Sequence, residues 1–161
     1  MSHDHPGAVL AAAAGLQRVN LATLPTPLEQ GATLPGGATL WVKRDDLTGL
    51  GMGGNKARKL EFLCGAAVAE GADTLVTVGA AQSNHCRTTA AAGARLGLAV
   101  HLVLGGPAPD TVTGNQLLAS LFGAELHFAG TDDWPELEAA KDALCDSLAE
   151  AGSHPYAIRN T

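Results

Sequence analysis

Asp73-Thr-Leu-Val-Thr-Val78-Gly79-Ala-Ala-Gln82-Ser83-Asn84-His85 is the stretch on which the fold turns. Asp73 to Val78 reads as a buried strand stopped by Gly79. Ser83 to about Leu96 reads as an alanine-rich helix closed by Gly97. A strand that passes through a short turn into a helix is the opening of a parallel-sheet unit. In such sheets ligands bind beyond the carboxyl ends of the strands, so Gln82, Ser83, Asn84 and His85 should lie on the functional edge, beside a helix N-terminus.

The same alternation continues downstream. Ala99 to Leu104 is a second buried strand, followed by a Gly105-Gly-Pro107 turn. Asn115 to Phe122 is a helix expected to turn Leu117, Leu118, Leu121 and Phe122 inward. Glu125 to Ala129 is a third strand, in which His127, like His101 in the second, is expected to be a satisfied or edge histidine. Asp132 and Asp133 look like a cap for a fourth helix opened by Asp133-Trp-Pro-Glu136, with Pro135 tolerated in its first turn. Leu137, the Lys141 stem, Leu144 and Leu148 should line one side of it. Pro155 to Ile158 begins a fourth strand. The fold class expected is α/β: an open parallel sheet flanked by helices.

Upstream, Trp41-Val-Lys-Arg-Asp-Asp-Leu-Thr-Gly-Leu-Gly-Met-Gly-Gly-Asn-Lys-Ala-Arg-Lys59 reads as a strand, an acidic turn, a glycine-rich loop and a helix from about Lys56. Glycines at 49, 51, 53 and 54 let the backbone approach a ligand closely. Asn55 is an N-cap candidate, and Lys56 would sit in the first turn, where unpaired amides and the dipole favour the neutral amine that a nucleophile needs. Leu60, Leu63, Cys64, Ala67 and Val68 fall on one face, and Gly71 ends the helix. Before it, Leu24-Pro-Thr-Pro-Leu28 should run extended over a surface, Gly31 to Gly37 is a loop, and Thr39 to Lys43 is a strand. His3 and His5, and an alanine-rich patch readable as a short helix, lie in the first 20 residues; the terminus is expected to bind no metal.

Composition limits the function classes. The 161 residues fit one ordinary domain, and 46% apolar with 4% aromatic content points to a core of Ala, Leu and Val. A formal charge of −6 without a basic block argues against nucleic acid. No apolar run reaches the roughly 18 residues of a membrane span, and Ala11 to Ala14 lacks a basic leader. Three widely spaced cysteines (Cys64, Cys86, Cys145) suit a reducing cytoplasm better than a disulfide or zinc framework, and no metal is expected. Cys86 stands near a helix N-terminus but without a general base, which reads as packing. The spacing of Gly49, Gly51 and Gly54 matches the dinucleotide fingerprint in letters only, because Arg44 to Thr48 separate it from the strand; Gly54-Asn55-Lys56-Ala57 also lacks the ending of a nucleotide phosphate loop.

Lys43-Arg-Asp-Asp46, Gly53-Gly-Asn-Lys-Ala-Arg-Lys59-Leu-Glu61 and Gln82-Ser-Asn-His-Cys-Arg87 together resemble D-cysteine desulfhydrases and 1-aminocyclopropane-1-carboxylate deaminases, pyridoxal-phosphate enzymes of the tryptophan-synthase-β fold group (fold type II). The resemblance runs from about Val19 to Ile158, and Ser83-Asn-His-Cys86 is nearer the desulfhydrases. It implies that Lys56 carries pyridoxal 5'-phosphate as a Schiff base, with Asn55 beside it. It implies that Lys59 helps to hold the phosphate and that Asn84 bonds the phenolic oxygen. It implies that Ser83 transfers protons or contacts substrate, with Gln82 on the substrate side. It further implies a small amino-acid substrate, no membrane partner, and a homodimer in the full-length form. The family pattern is about twice this length, so residues 1–55 are expected to be a strip of the larger domain and 56–161 the smaller domain, weak or inactive alone. Two other readings stand beside it: a non-catalytic remnant binding small anions or a partner chain, and, third, a dinucleotide module.

Overall fold

The computed structural model describes residues 15–159; the histidines and alanine patch of the first 14 residues, and Asn160 and Thr161, lie outside the described residues. Four parallel strands form the central sheet: β3 (Thr74–Gly79), β4 (Ala99–Leu104), β5 (Glu125–Phe128) and β6 (Pro155–Ala157), in the order β5-β4-β3-β6. The helices between them are α1 (Lys56–Ala69), α2 (Asn84–Leu96), α3 (Gly114–Leu121) and α4 (Trp134–Glu150). Every residue of β3 is buried, which is why Thr-Leu-Val-Thr-Val reads as a continuous apolar and β-branched run rather than an alternation. Leu75, Leu102 and Leu104 pack with Leu60, Cys64, Ala90 and Ile158 in the main core. On the other face Val78, Val103 and Leu137 form a smaller cluster against α4.

Helix starts follow local chemistry. Ser83, extended at φ −63° and ψ 121°, accepts the Cys86 N–H at 3.2 Å, and Asp133 accepts that of Glu136 at 3.1 Å. Asn55 differs from the expectation: at φ −65° and ψ −20° its backbone is already helical, so its side chain makes no capping bond. The inward face of α3 is also corrected. Gln116 and Ala119 are buried, whereas Leu117 and Leu121 are 42% and 72% exposed. The small Ala119 packs into the main core, and the leucines rotate outward. Val68, expected inward, is likewise exposed on α1.

Residues 31–33 belong to a strand rather than a loop. β1 (Leu28–Thr33) pairs antiparallel with β2 (Thr39–Lys43), Gln30 lying opposite Trp41. All eleven residues of this hairpin are exposed, so Leu40, Trp41 and Val42 gain a partner strand but no cover.

The segment before the hairpin is tied to α1 by Glu61. This nearly inaccessible carboxylate accepts the N–H groups of Leu21 (3.0 Å) and Ala22 (2.9 Å) and the Nε of Arg18 (2.8 Å). Burial works to raise its pKa, but these donors outweigh it and the net shift is downward.

Candidate active site

Between β2 and α1 the chain makes two 3₁₀ turns, Asp45–Thr48 and Leu50–Met52, so the glycines do not follow a strand directly. The loop folds back on itself: the Gly54 N–H donates to Asp45 O (2.8 Å), and Thr48 Oγ1 donates to Gly54 O (3.0 Å). Gly53 has φ +78°, and a Cβ there would meet Asp46 O at 1.9 Å, so no other residue fits. Asp45 clamps this loop to the helix. It accepts Arg58 Nε (2.8 Å), Arg58 Nη2 (2.6 Å) and Thr26 Oγ1 (2.9 Å), and the Arg58 bonds hold its carboxyl down at about 2. Thus Leu24-Pro-Thr-Pro-Leu28, the acidic turn and α1 interlock through three side chains. Lys56 begins α1, half-buried, and Lys59 follows one turn later. Burial, and then the neighbouring Lys56 charge, lower the Lys59 pKa.

The second wall is the turn after β3. Arg87 Nη2 donates to Gly53 O (3.2 Å) and to Asn84 Oδ1 (3.4 Å). Asn115 Nδ2 donates to Gln82 O (2.8 Å) and to the same Asn84 Oδ1 (3.1 Å). A guanidinium can only donate, so Asn84 must present its oxygen to Arg87, which makes Nδ2 the donor side of its amide. Gln82 is held by its own side chain, whose Oε1 accepts the Asn115 N–H at 2.8 Å. Ser83 Oγ uses a lone pair on Cys86 N–H and keeps its proton to donate.

His85 is buried close enough to both lysines to feel their charge. Thr77 Oγ1 donates its one proton to Ile158 O (3.0 Å), so it must accept from His85 Nε2 (3.0 Å). His85 is therefore the Nε2–H tautomer, and its buried Nδ1 has no hydrogen-bond partner among the described residues. Burial first, then Lys59 and Lys56, push its pKa down to about 3, so it is neutral at ordinary pH. Cys86 is buried, and desolvation pushes its thiol up to about 11, which agrees with a packing role. His101 Nδ1 and His127 Nε2 are 3.0 Å apart, so the two histidines satisfy each other.

The structure thus brings the glycine loop before Lys56 and the Gln82-Ser83-Asn84 turn together through Arg87. The sequence motifs give Arg87 no role and Asn115 only that of a helix start. The available signals were position: Arg87 stands three residues after Asn84, on the same helical face, and Asn115 follows a glycine at a helix opening. Gly114 has φ +55°, and a Cβ there would crowd Gln82 Oε1 at 2.6 Å.

Solved structures define the class. The chain superposes on an ACC deaminase homologue with a TM-score of 0.83 at 42% identity, covering 96% of this chain and 47% of that one. A hydrogen sulfide-producing enzyme from Fusobacterium nucleatum (TM-score 0.64, 15% identity, 86% of this chain and 43% of that one) shares the fold. A cysteine synthase from Entamoeba histolytica does so too (TM-score 0.62, 18% identity, 82% and 39%). The fold is that of fold-type-II pyridoxal-phosphate enzymes. Residues 19–161 match the pyridoxal-phosphate dependent enzyme family, and the chain belongs to it.

Among curated relatives, the bifunctional D-cysteine desulfhydrase/1-aminocyclopropane-1-carboxylate deaminase (mitochondrial) of Arabidopsis thaliana is 43% identical over 86% of this chain and 37% of its own length. The D-cysteine desulfhydrase of Salmonella paratyphi B is 43% identical over 88% and 44%. A putative 1-aminocyclopropane-1-carboxylate deaminase of Pyrococcus horikoshii is 42% identical over 96% and 47%. The chain therefore spans less than half the length of these relatives. No helix among the described residues is long and apolar enough to cross a membrane.

Proposed function

We propose that this chain supplies the lysine-bearing wall of a pyridoxal-phosphate-dependent lyase acting on small amino acids, D-cysteine foremost. The observation that carries the proposal is the Arg87 bridge, which joins Gly53, three residues before Lys56, to the amide of Asn84. The residues fit the cofactor: a lysine on a helix start, a second lysine one turn on, a glycine loop admitting close approach, and an amide donor fixed by two partners. Pyridoxal phosphate, when bound, withdraws electrons from the substrate α-carbon.

In this reading Lys56 is the point of covalent attachment, with Asn55 beside it. Lys59 holds the phosphate, whose negative charge would offset the desolvation of that amine. Asn84 Nδ2 donates to the phenolic oxygen, and its orientation is enforced by Arg87 and Asn115. Ser83 Oγ keeps a proton for the substrate side, and Gln82 faces substrate. The net reaction is D-cysteine plus water giving pyruvate, hydrogen sulfide and ammonia. Residues 1–55 then belong to the larger domain and 56–161 form the smaller one, with the other wall coming from sequence like that in the remaining half of the relatives. A homodimeric enzyme of cytoplasmic location completes the proposal.

Deamination of 1-aminocyclopropane-1-carboxylate is the second reading, favoured by the names of the Pyrococcus relative and of the 42%-identical structure. To test the site, the chain is incubated with pyridoxal phosphate, with and without a complementary C-terminal half, reduced with borohydride and mapped by mass spectrometry. The tag is expected on Lys56 and absent from Lys56→Ala. A tag confined to other lysines, or none in the complemented protein, overturns the assignment. Sulfide from D-cysteine against 2-oxobutyrate from the cyclopropane acid then separates the two substrates.

A further inference from the structure

β4 and β5 run parallel, with His101 opposite Glu125 and Val103 opposite His127. Side chains two apart on a strand share a face, so His101, Glu125 and His127 all project on the side where Val103 packs against α4. The imidazoles stack with centroids 5.3 Å apart, bringing His101 Nδ1 within 3.0 Å of His127 Nε2. Glu125 reaches over both: Oε2 is 3.7 Å from His101 Nδ1, and Oε1 is 3.4 Å from His127 Nε2. We propose that these three side chains form a binding site for a borderline divalent transition-metal ion, zinc foremost, which neither the family nor the proposed reaction assigns.

The distances are those of a ligand set. Ions held by imidazole and carboxylate at about 2.0–2.1 Å in a tetrahedron have ligand atoms about 3.3–3.4 Å apart. The two nitrogens are 3.0 Å apart and His127 Nε2 is 3.4 Å from Glu125 Oε1, both near that edge, while His101 Nδ1 is 3.7 Å from the other carboxylate oxygen; one atom from each residue lies within 4.8 Å of the other two. Two imidazoles and one carboxylate also suit zinc better than magnesium, which prefers an all-oxygen octahedron. The site is half-built into the sheet: the histidine side chains are 15% and 32% exposed, while Glu125 at 64% opens it to solvent, where water would take the fourth position. Without the ion, one ring must donate to the other. With it, both facing nitrogens present lone pairs, and the proton moves to the far nitrogen of the donating ring. The ion would fasten β5, an edge strand, to β4.

Zinc chloride titrated by calorimetry into the metal-free chain tests this, with His3→Ala/His5→Ala as the background that removes terminal histidines. One ion per chain is expected in that background, unaffected by excess magnesium. His127→Gln and Glu125→Gln should each weaken it at least about tenfold, since even outer-shell losses cost that much, with circular dichroism confirming the fold. Glu125 is exposed, so its variant should fold even if the histidine variant does not. Cobalt should give visible d–d absorption lost in the same variants. No zinc binding in the background protein, or binding indifferent to Glu125→Gln, overturns the proposal.

Discussion

The two sheets of this chain have opposite characters. β3 is buried along its whole length and paired on both sides, whereas β1 and β2 pair only with each other and bury nothing. An isolated two-stranded ribbon is marginal in water; this one is held by its base, where Lys43 Nζ donates to Thr26 O and the Arg44 N–H to Pro27 O. Stability is therefore expected to reside in the parallel unit, while the hairpin presents surface.

The largest expected effect probes that contrast. Leu75→Ala, at the second position of β3 and 0% exposed, should cost about 2–5 kcal/mol in urea unfolding. Trp41→Ala, on a side chain more than half exposed, should cost about 0.5 kcal/mol or less despite removing a larger group. Equal losses would show that the hairpin shares the core's cooperativity and would break the comparison.

A middle-sized effect sits at the junction. Glu61→Gln keeps the volume but weakens four charge-assisted bonds to the segment before the hairpin, two of them from Arg18, at a cost of about 1–3 kcal/mol. The sign in pH follows from its lowered folded-state pKa. The stabilisation is complete above the unfolded carboxylate value of about 4.3 and is lost as pH falls through the lower folded value. The wild-type advantage over the glutamine variant should thus be constant near neutrality and vanish in acid. An advantage that disappears at neutral pH would exclude Glu61 as its source.

What the sequence could reveal tracks burial and residue type. β3, β4 and the helix boundaries at Ser83, Gly97 and Asp133 were legible because cores impose periodicity and caps demand particular side chains. β1 was not, since Leu28-Glu-Gln-Gly-Ala-Thr33 carries glycine and few β-branched or aromatic residues, whereas the equally exposed β2 announces itself through Thr39-Leu-Trp-Val42. Leu117 and Leu121 misled because leucine at i and i+4 looks inward whether or not anything covers it. At the site, Lys56 and Gln82-Ser83-Asn84 stood out as motifs, but Arg87 and Asn115 work through one shared oxygen, Asn84 Oδ1, across 28 residues of chain, and no local pattern encodes that meeting.

The smallest effect on folding is expected where the effect on association is greatest. Leu40, Trp41 and Val42 are 45%, 53% and 41% exposed, on both faces of the ribbon, and unpaired strand edges and apolar ribbon faces recruit other chains. The chain should therefore self-associate with rising concentration, and Leu40→Thr/Val42→Thr should shift it toward monomer by sedimentation while moving the unfolding midpoint little. Trp134 is also partly exposed, so Trp134→Phe isolates the Trp41 signal. Its fluorescence should be open to acrylamide in dilute solution and shielded on association. A clean monomer at every concentration, with Trp41 shielded throughout, would mean that some part of the chain itself covers the hairpin, and the contrast between the two sheets would fail.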